Sequence, residues 1–324
     1  MPRSAITDVE GIQVGHAQDE QGLTGCTVIL CEDGAVGGMD QRGNATSSRQ
    51  VDAMRPAHIV EKVHGVMLSG GSAFGLDTAS GAMRYLEEKG VGFEYGPARI
   101  PTVPTAILFD LRLSGDTARP DAEMGYQACL NASSKPPAEG NHGAGSGATV
   151  GKILGMKQAV KSGIGTAAIE IGEGVIVGAI VAVNAFGDVV DPASGEIVAG
   201  ARSAKDGGEL FTDTLQVMRE LVGRKLSERM SDDNTVIGVV ATNAKFNKLE
   251  VTKLAQMSQN GVVRTIRPAH TTGDGDTMFA LATGKVKAEV NVVGAYDAQV
   301  ISEAILRAVR AAESVGDLPA VRDL

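Results

Sequence analysis

SDDNTVIGVVATN, residues 231–243, changes character in the middle. Asp232, Asp233 and Asn234 are loop formers, and Thr235 opens an apolar run, Val236–Ala241, with no turn residue between. A short run rich in Val and Ile has the pattern of a buried strand, and Thr suits a strand start. A turn running into a strand therefore accounts for the stretch in its plainest reading. The second reading is chemical. A hydroxyl at the head of a buried strand, directly behind an Asn, is placed to act as a nucleophile if the Asn234–Thr235 bond is cut and the α-amine of Thr235 is freed. The choice turns on what the rest of the chain brings to that strand end.

Other runs of the same kind are expected as buried strands: Cys26–Cys31, Gly65–Leu68, Ile164–Ile171, Val175–Val183 and Thr277–Ala282. Helical periodicity is interleaved with them. Phe74–Lys89 places Leu76, Ala79, Met83 and Leu86 on one face, with Gly90 as its stop. Asn247–Gln259 has Asn247 as cap, Glu250 to complete a capping box, and Asn260-Gly261 as its expected end. A third helix is expected over about Ala295–Ser314, and a shorter piece at Leu210–Leu221. The least regular stretches are 131–147 and the polar segment around 203–233, whose exposed charged run, GRKLSERMSDDN, leads straight to Thr235. Interleaved elements of both types give the class α/β or α+β.

Composition narrows the function. Of 324 residues 43% are hydrophobic and 21% charged, which is globular; aromatics are only 3%, so the core is built from Ala, Val, Ile and Leu. Net charge is −9 and no Lys/Arg cluster stands out, which argues against a nucleic-acid partner. Three cysteines, Cys26, Cys31 and Cys129, cannot all pair, and neither their spacing nor the five scattered His fit a metal site. Neither a signal stretch nor a run of membrane-spanning length is present, so a cytoplasmic protein with no membrane partner is expected.

Two glycine-rich stretches resemble phosphate loops. SGGSAFG (69–75) follows a strand and opens a helix, but is not G-x-G-x-x-G. GAGSGATVGK (143–152) ends like a P-loop, but has Ser146 where the first Gly belongs and Ile153 where Ser or Thr would meet magnesium. Glycines that let two backbones pack closely are the simpler account. Lys152 remains unusual after such a run, as a solvent-reaching side chain or a buried charge serving a site. The alternative to an enzyme is thus a nucleotide- or ligand-binding protein whose 234–235 bond stays intact.

Two further stretches carry chemistry. HTTGDGDTMFALATG (270–284) sets Asp274 and Asp276 on either side of Gly275 just before a strand. Such a pair is a turn or the start of a metal site, and no further ligands lie at regular spacing. The strand Val175–Val183 runs into Asn184, a turn residue whose amide is also a good oxyanion donor.

Together these stretches resemble the self-cleaving DmpA-type aminopeptidase family, which includes the nylon-oligomer (aminohexanoate-oligomer) hydrolases. ITDVEGIQVGHAQDEQGLTGCTVIL is similar to its N-terminal strand pair, LSGGSAFGLDTASG to its helix start, and HGAGSGATVGK to its Gly-rich loop. IVAVNAFGDVVD is similar to its Asn-bearing strand, and DNTVIGVVATN and HTTGDGDTMFALATG to its small-subunit motifs; the likeness runs from Ile6 to about Ala311.

The resemblance implies a four-layer αββα sandwich akin to N-terminal nucleophile hydrolases. It implies one domain, 1–324, that cuts itself into 1–234 and 235–324. Thr235 falls on the nucleophile; Thr after Asn marks the nylon-hydrolase branch, whereas the aminopeptidases have Ser after Gly. Asn184 falls on the strand-end Asn as oxyanion donor, Lys152 on the lysine of that branch, and Asp274 and Asp276 on its acidic pair. Phe109, in TAILFDL, departs from the family, which often has an active-site Tyr there. The resemblance further implies an amide or peptide substrate, no cofactor or metal, and a homo-oligomer, a tetramer.

Overall fold

Residues of the run after Asn234 alternate between two apolar clusters. Val236 and Val240 pack into one, Ile237, Val239 and Ala241 into the other, and all are buried. A strand apolar on both faces must be covered on both sides. The computed structural model describes residues 4–114, 118–203, 209–222 and 234–324 and supplies that cover. In chain order the main elements are β1 (Gln13–Asp19), β2 (Thr24–Gln41), β3 (Val63–Ser69), α1 (Thr78–Glu88), β4 (Thr105–Ile107), α2 (Ala122–Leu130), β5 (Ile164–Glu170), β6 (Ile176–Asn184), β7 (Thr235–Ala244), α3 (Lys248–Thr265), β8 (Thr277–Val286) and α4 (Val290–Ala311).

The strands form two sheets that share β2. Its first half, Cys26–Leu30, pairs antiparallel with β3 and with β1, and its second half, Val36–Gln41, pairs antiparallel with β8. One sheet then continues from β3 to β4, and the other runs β5–β6–β7–β8–β2. Between the sheets lie Ile29, Val66 and Leu68 from one and Ile180, Ile237 and Phe279 from the other. Outside the first sheet, Val28 and Met67 meet Ala82 and Leu86 of α1 and Ala128 of α2. Outside the second, Val181 and Val240 meet Leu254 of α3 and Ile301 of α4. The order is helix, sheet, sheet, helix: the four-layer αββα sandwich.

Several boundaries differ from those expected. Strand β2 runs far past Cys31, because Glu32-Asp33-Gly34 mark only the shift in register where it passes from one sheet to the other. The first helix begins as a 3-10 turn, Ser72–Asp77, before α1; Ala79 and Leu86 are buried as expected, whereas Leu76 and Met83 are half-buried. The capping box of α3 forms as read, but the helix continues through Asn260-Gly261 to Thr265. Gly261 is a contact point: a Cβ there would stand 2.5 Å from the Ala298 carbonyl oxygen of α4. Helix α4 starts at Val290, capped by Glu289, and ends at Ala311. The piece at 210–221 is the helix Thr214–Glu220, capped by Asp213. The 131–147 stretch is tied down by mutual main-chain bonds between Gly140 and Ile164, and between Val14 and Ser133. Apart from Asn234, the charged run 223–234 lies outside the described residues.

One residue of α4 works against this packing. Asp297 is fully buried and neither carboxyl oxygen has a hydrogen-bond partner among the described residues. Burial raises its pKa well above the usual carboxylate range. The folded chain therefore holds this proton where the unfolded chain, with a pKa near 3.9, releases it. The resulting penalty is absent below the unfolded pKa and grows as pH rises towards the folded one. Asp297→Asn should raise the melting temperature at pH 7 by at least about 2 °C. The gap to the parent should close as pH falls towards 4, measured by thermal melts across pH.

Candidate active site

Alternation along the strands brings the site together. Asn184 follows Ile180 and Ala182 on the inter-sheet face of β6, and Thr235 precedes Ile237 and Val239 on the same face of β7. The antiparallel register sets Asn184 directly opposite Thr235. Thr235 thus heads a central strand at the mouth of the space between the sheets, and it is 4% exposed. With the 234–235 bond intact, its hydroxyl donates to the Asn234 carbonyl oxygen at 2.5 Å, and the Gly275 N–H donates to the same oxygen at 2.9 Å.

The amide of Asn184 is held from both ends. Its oxygen accepts from Lys152 Nζ at 2.8 Å, from the Thr149 N–H at 3.0 Å and from the Thr149 hydroxyl at 3.3 Å. One of its own N–H bonds goes to the Phe109 carbonyl oxygen at 2.9 Å. Lys152 also donates to the Asn184 main-chain oxygen at 3.0 Å. The Gly-Lys pair is seated by main-chain bonds from Gly151 to Gly187 and from Lys152 to Phe186. Gly151 has φ +75° and lies so close to Gly200 that no side chain fits. The Lys152 ammonium is buried, and desolvation brings its pKa down to about 7; Arg112 pushes the same way, against Asp274 and Asp110.

The acidic pair flanks the other side of Thr235. Asp274 and Asn234 bridge in parallel, and β8 runs parallel to β7 from there. Asp276 Oδ1 accepts the Val236 N–H at 2.8 Å, and its Oδ2 accepts from the main chain (3.0 Å) and ring Nδ1 (2.8 Å) of His270. Asp274 Oδ2 accepts the Thr271 N–H at 2.5 Å. Burial, then the nearby Asp276, raise the Asp274 pKa to about 6, against the Thr271 hydrogen bonds and Lys152.

All the residues singled out in the sequence therefore converge: Asn234, Thr235, Asn184, Lys152, Asp274 and Asp276. Others were missed. Thr149 and the Phe109 carbonyl hold Asn184; the latter is main chain, indifferent to whether residue 109 is Phe or Tyr. Behind them lie Asp110 and Lys161. Asp110 accepts from the Thr24 hydroxyl and the Gly71 N–H, each at 2.7 Å. Lys161, wholly buried with its pKa lowered to about 7 by desolvation, donates to the carbonyl oxygens of Gly145, Ala148 and Ser162. Each ties down one glycine-rich stretch. Their signal was visible as a lone charge inside an apolar run, ILFDL and AVKSGIG. The glycines of these stretches face protein: a Cβ on Gly70 would strike Asp110, one on Gly143 would strike Thr27, and one on Gly145 the Ile164 nitrogen.

Residues 4–319 match the model of peptidase family S58. The chain belongs to that family. An uncharacterized aminopeptidase of Mycobacterium leprae is 39% identical, with 98% of this chain and 93% of the relative aligned. A 6-aminohexanoate-oligomer endohydrolase of Kocuria sp. is 29% identical over 94% of this chain and 85% of its own. Among solved structures, a Burkholderia sp. β-aminopeptidase superposes with a TM-score of 0.72 at 21% identity, covering 99% of this chain and 90% of that one. The L-aminopeptidase D-Ala-esterase/amidase of Ochrobactrum anthropi, described as a variant of the Ntn hydrolase fold, gives 0.71 at 19%, covering 97% and 88%. The S58 chain described here is accordingly an amide hydrolase on that fold.

Gly275 offers a direct check on this geometry. A Cβ there would stand 2.8 Å from the Thr235 hydroxyl and 3.0 Å from the Ala45 carbonyl oxygen. Gly275→Ala should lower amide hydrolysis by at least about tenfold, since small displacements of a reacting group are costly. Its melting temperature should stay within a few degrees of the parent, because the crowding falls on the strand mouth and not on either apolar cluster.

Proposed function

We propose that this S58 hydrolase cuts its own Asn234–Thr235 bond and then uses Thr235 as an N-terminal nucleophile against small peptide and linear amides. The observation that carries the reading is the position of the Thr235 hydroxyl. It lies against the Asn234 carbonyl, opposite an Asn184 held by Lys152.

In the first step the hydroxyl gives up its proton and its oxygen bonds to the Asn234 carbonyl carbon. The C–N bond breaks, and the nitrogen leaves with a proton as the α-amine of Thr235. The amide has become an ester. Water then attacks that ester, leaving Asn234 as a carboxylate and restoring the hydroxyl. The Gly275 N–H is aimed at the oxygen on which negative charge develops, the arrangement of an oxyanion donor. In turnover the same hydroxyl attacks the substrate amide, with the free α-amine, reference pKa about 7.7–8.0, as its base. Asn184 supplies a donor to the substrate oxyanion, and the Asp274/Asp276 pair orients the amine and Lys152. The products of processing, 1–234 and 235–324, stay packed together.

For the substrate, acidic groups beside the nucleophile favour a free amine near the scissile amide. The relatives named as aminopeptidases and as 6-aminohexanoate-oligomer endohydrolases fit that chemistry at two chain lengths. Amino-terminal p-nitroanilides and short aminohexanoate oligomers are both expected to be cleaved. Single terminal units among the products would mark exo attack, and internal fragments endo attack. The three thiols are buried and unpaired, which suits a reducing cytoplasm.

Denaturing mass analysis should show two polypeptides, the smaller beginning at Thr235. Thr235→Ala should remain one folded chain without activity, and Thr235→Ser should still process. A single intact chain in active wild-type protein would overturn the proposal.

The two steps should also separate by pH. Before cleavage the Thr235 nitrogen is an amide, so processing needs another base, and Lys152 with its pKa down at about 7 supplies one. Processing should speed up through about pH 7 and level off above it, and Lys152→Met should remove that rise. Turnover by processed enzyme should instead follow deprotonation of the α-amine, near or below about pH 8.

A further inference from the structure

His270 is held in a way that its place in a turn does not require. It has φ +58°, a left-handed conformation uncommon for a residue with a side chain. That conformation lets its main-chain N–H and its ring Nδ1 reach the same atom, Asp276 Oδ2, at 3.0 and 2.8 Å. The other carboxyl oxygen of Asp276 takes the N–H of Val236, the residue after Thr235. Three donors thus converge on Asp276, and the chain between them closes a loop from His270 to β7. Asp274, two residues before, sits in the same loop and accepts the Thr271 N–H on its side chain. His270 is half-buried beside this pair, its side chain 16% exposed. Backbone strain of this kind persists only where the surroundings hold it, and it concentrates at functional sites.

We propose that His270 is a positioning residue of the hydrolase site: its ring and main-chain N–H groups hold Asp276 in the orientation that accepts the Val236 N–H, and so fix the strand end that carries Thr235. The inference rests on the proposed function, in which this pair serves Thr235. Asp276 serves the strand end only while its two oxygens keep these directions, and the two donors locked onto Oδ2 fix them. Against a carboxylate oxygen, Nδ1 must carry a hydrogen.

Two variants tolerate the left-handed backbone and differ in the donor: His270→Gly removes the ring, and His270→Asn keeps a side-chain N–H. With a p-nitroanilide substrate and fully processed protein, His270→Gly should lower kcat by about tenfold to a hundredfold, with KM within about twofold. His270→Asn should recover most of that loss. A wild-type kcat in His270→Gly, or an Asn variant no better than the Gly variant at equal melting temperature, would overturn the assignment. A second reading needs no turnover. In protein labelled with 15N-histidine, the His270 ring, assigned by its absence in His270→Gly, should show a protonated Nδ1 that shifts in Asp276→Asn. A hydrogen on Nε2 instead, or an unmoved signal, would also overturn it. Processed wild-type protein that cleaves no amide would sink the proposed function itself, while the ring signal would still report whether His270 holds Asp276.

Discussion

The Lys152 ammonium is buried and donates to two oxygens of a single residue, the main-chain and side-chain oxygens of Asn184. A charge moved out of water is costly unless hydrogen bonds replace its hydration or its pKa falls. Both happen at Lys152. Because these bonds end on Asn184, the glycine-rich loop is tied to the end of β6, and the strand register carries that constraint to Thr235. The nucleophile candidate is thus placed by a chain of three links: loop to lysine, lysine to Asn184, Asn184 to its cross-strand partner. Asn184 is the joint of these links, and one N–H of its amide is anchored to the Phe109 carbonyl.

Much of this was legible in the sequence where periodicity and residue type speak locally. The apolar runs located the central strands, and the capping box of Asn247 and Glu250 located the start of α3. The Asn–Thr junction and the D-G-D stretch singled out residues that the fold brings together. What stayed hidden was set by distant packing. Asn260-Gly261 has the composition of a helix stop, yet Gly261 is there because α3 and α4 cross closely at that point. Strand β2 looked short because a polar break interrupts it just where it changes sheets. Asp110 and Lys161 stood out as lone charges in apolar runs, but their partners, like that of Thr149, are set by the fold and not by local pattern. His270 lay within sight of the two aspartates, but its left-handed turn appears only in the folded chain.

The glycine-rich stretches show how similar compositions serve different ends. A phosphate loop keeps its N–H groups open to a ligand. Here the same small residues let Asp110, Thr27 and the Ile164 main chain press against the loops, and two buried charges fasten them from behind. The loops are filled by their own protein.

The strand order has a consequence for the life of the molecule. Strands β7 and β8 lie between β6 and β2, so 235–324 contributes the middle of a sheet whose flanks come from the preceding residues. Opening the chain at 234–235 would divide it chemically without dividing it physically, since this sheet is complete only with strands from both pieces. The first folding would be unimolecular and every later one bimolecular, dependent on the two pieces meeting. Such a protein is assembled once, while still a single chain, and after unfolding its recovery is governed by dilution as much as by stability.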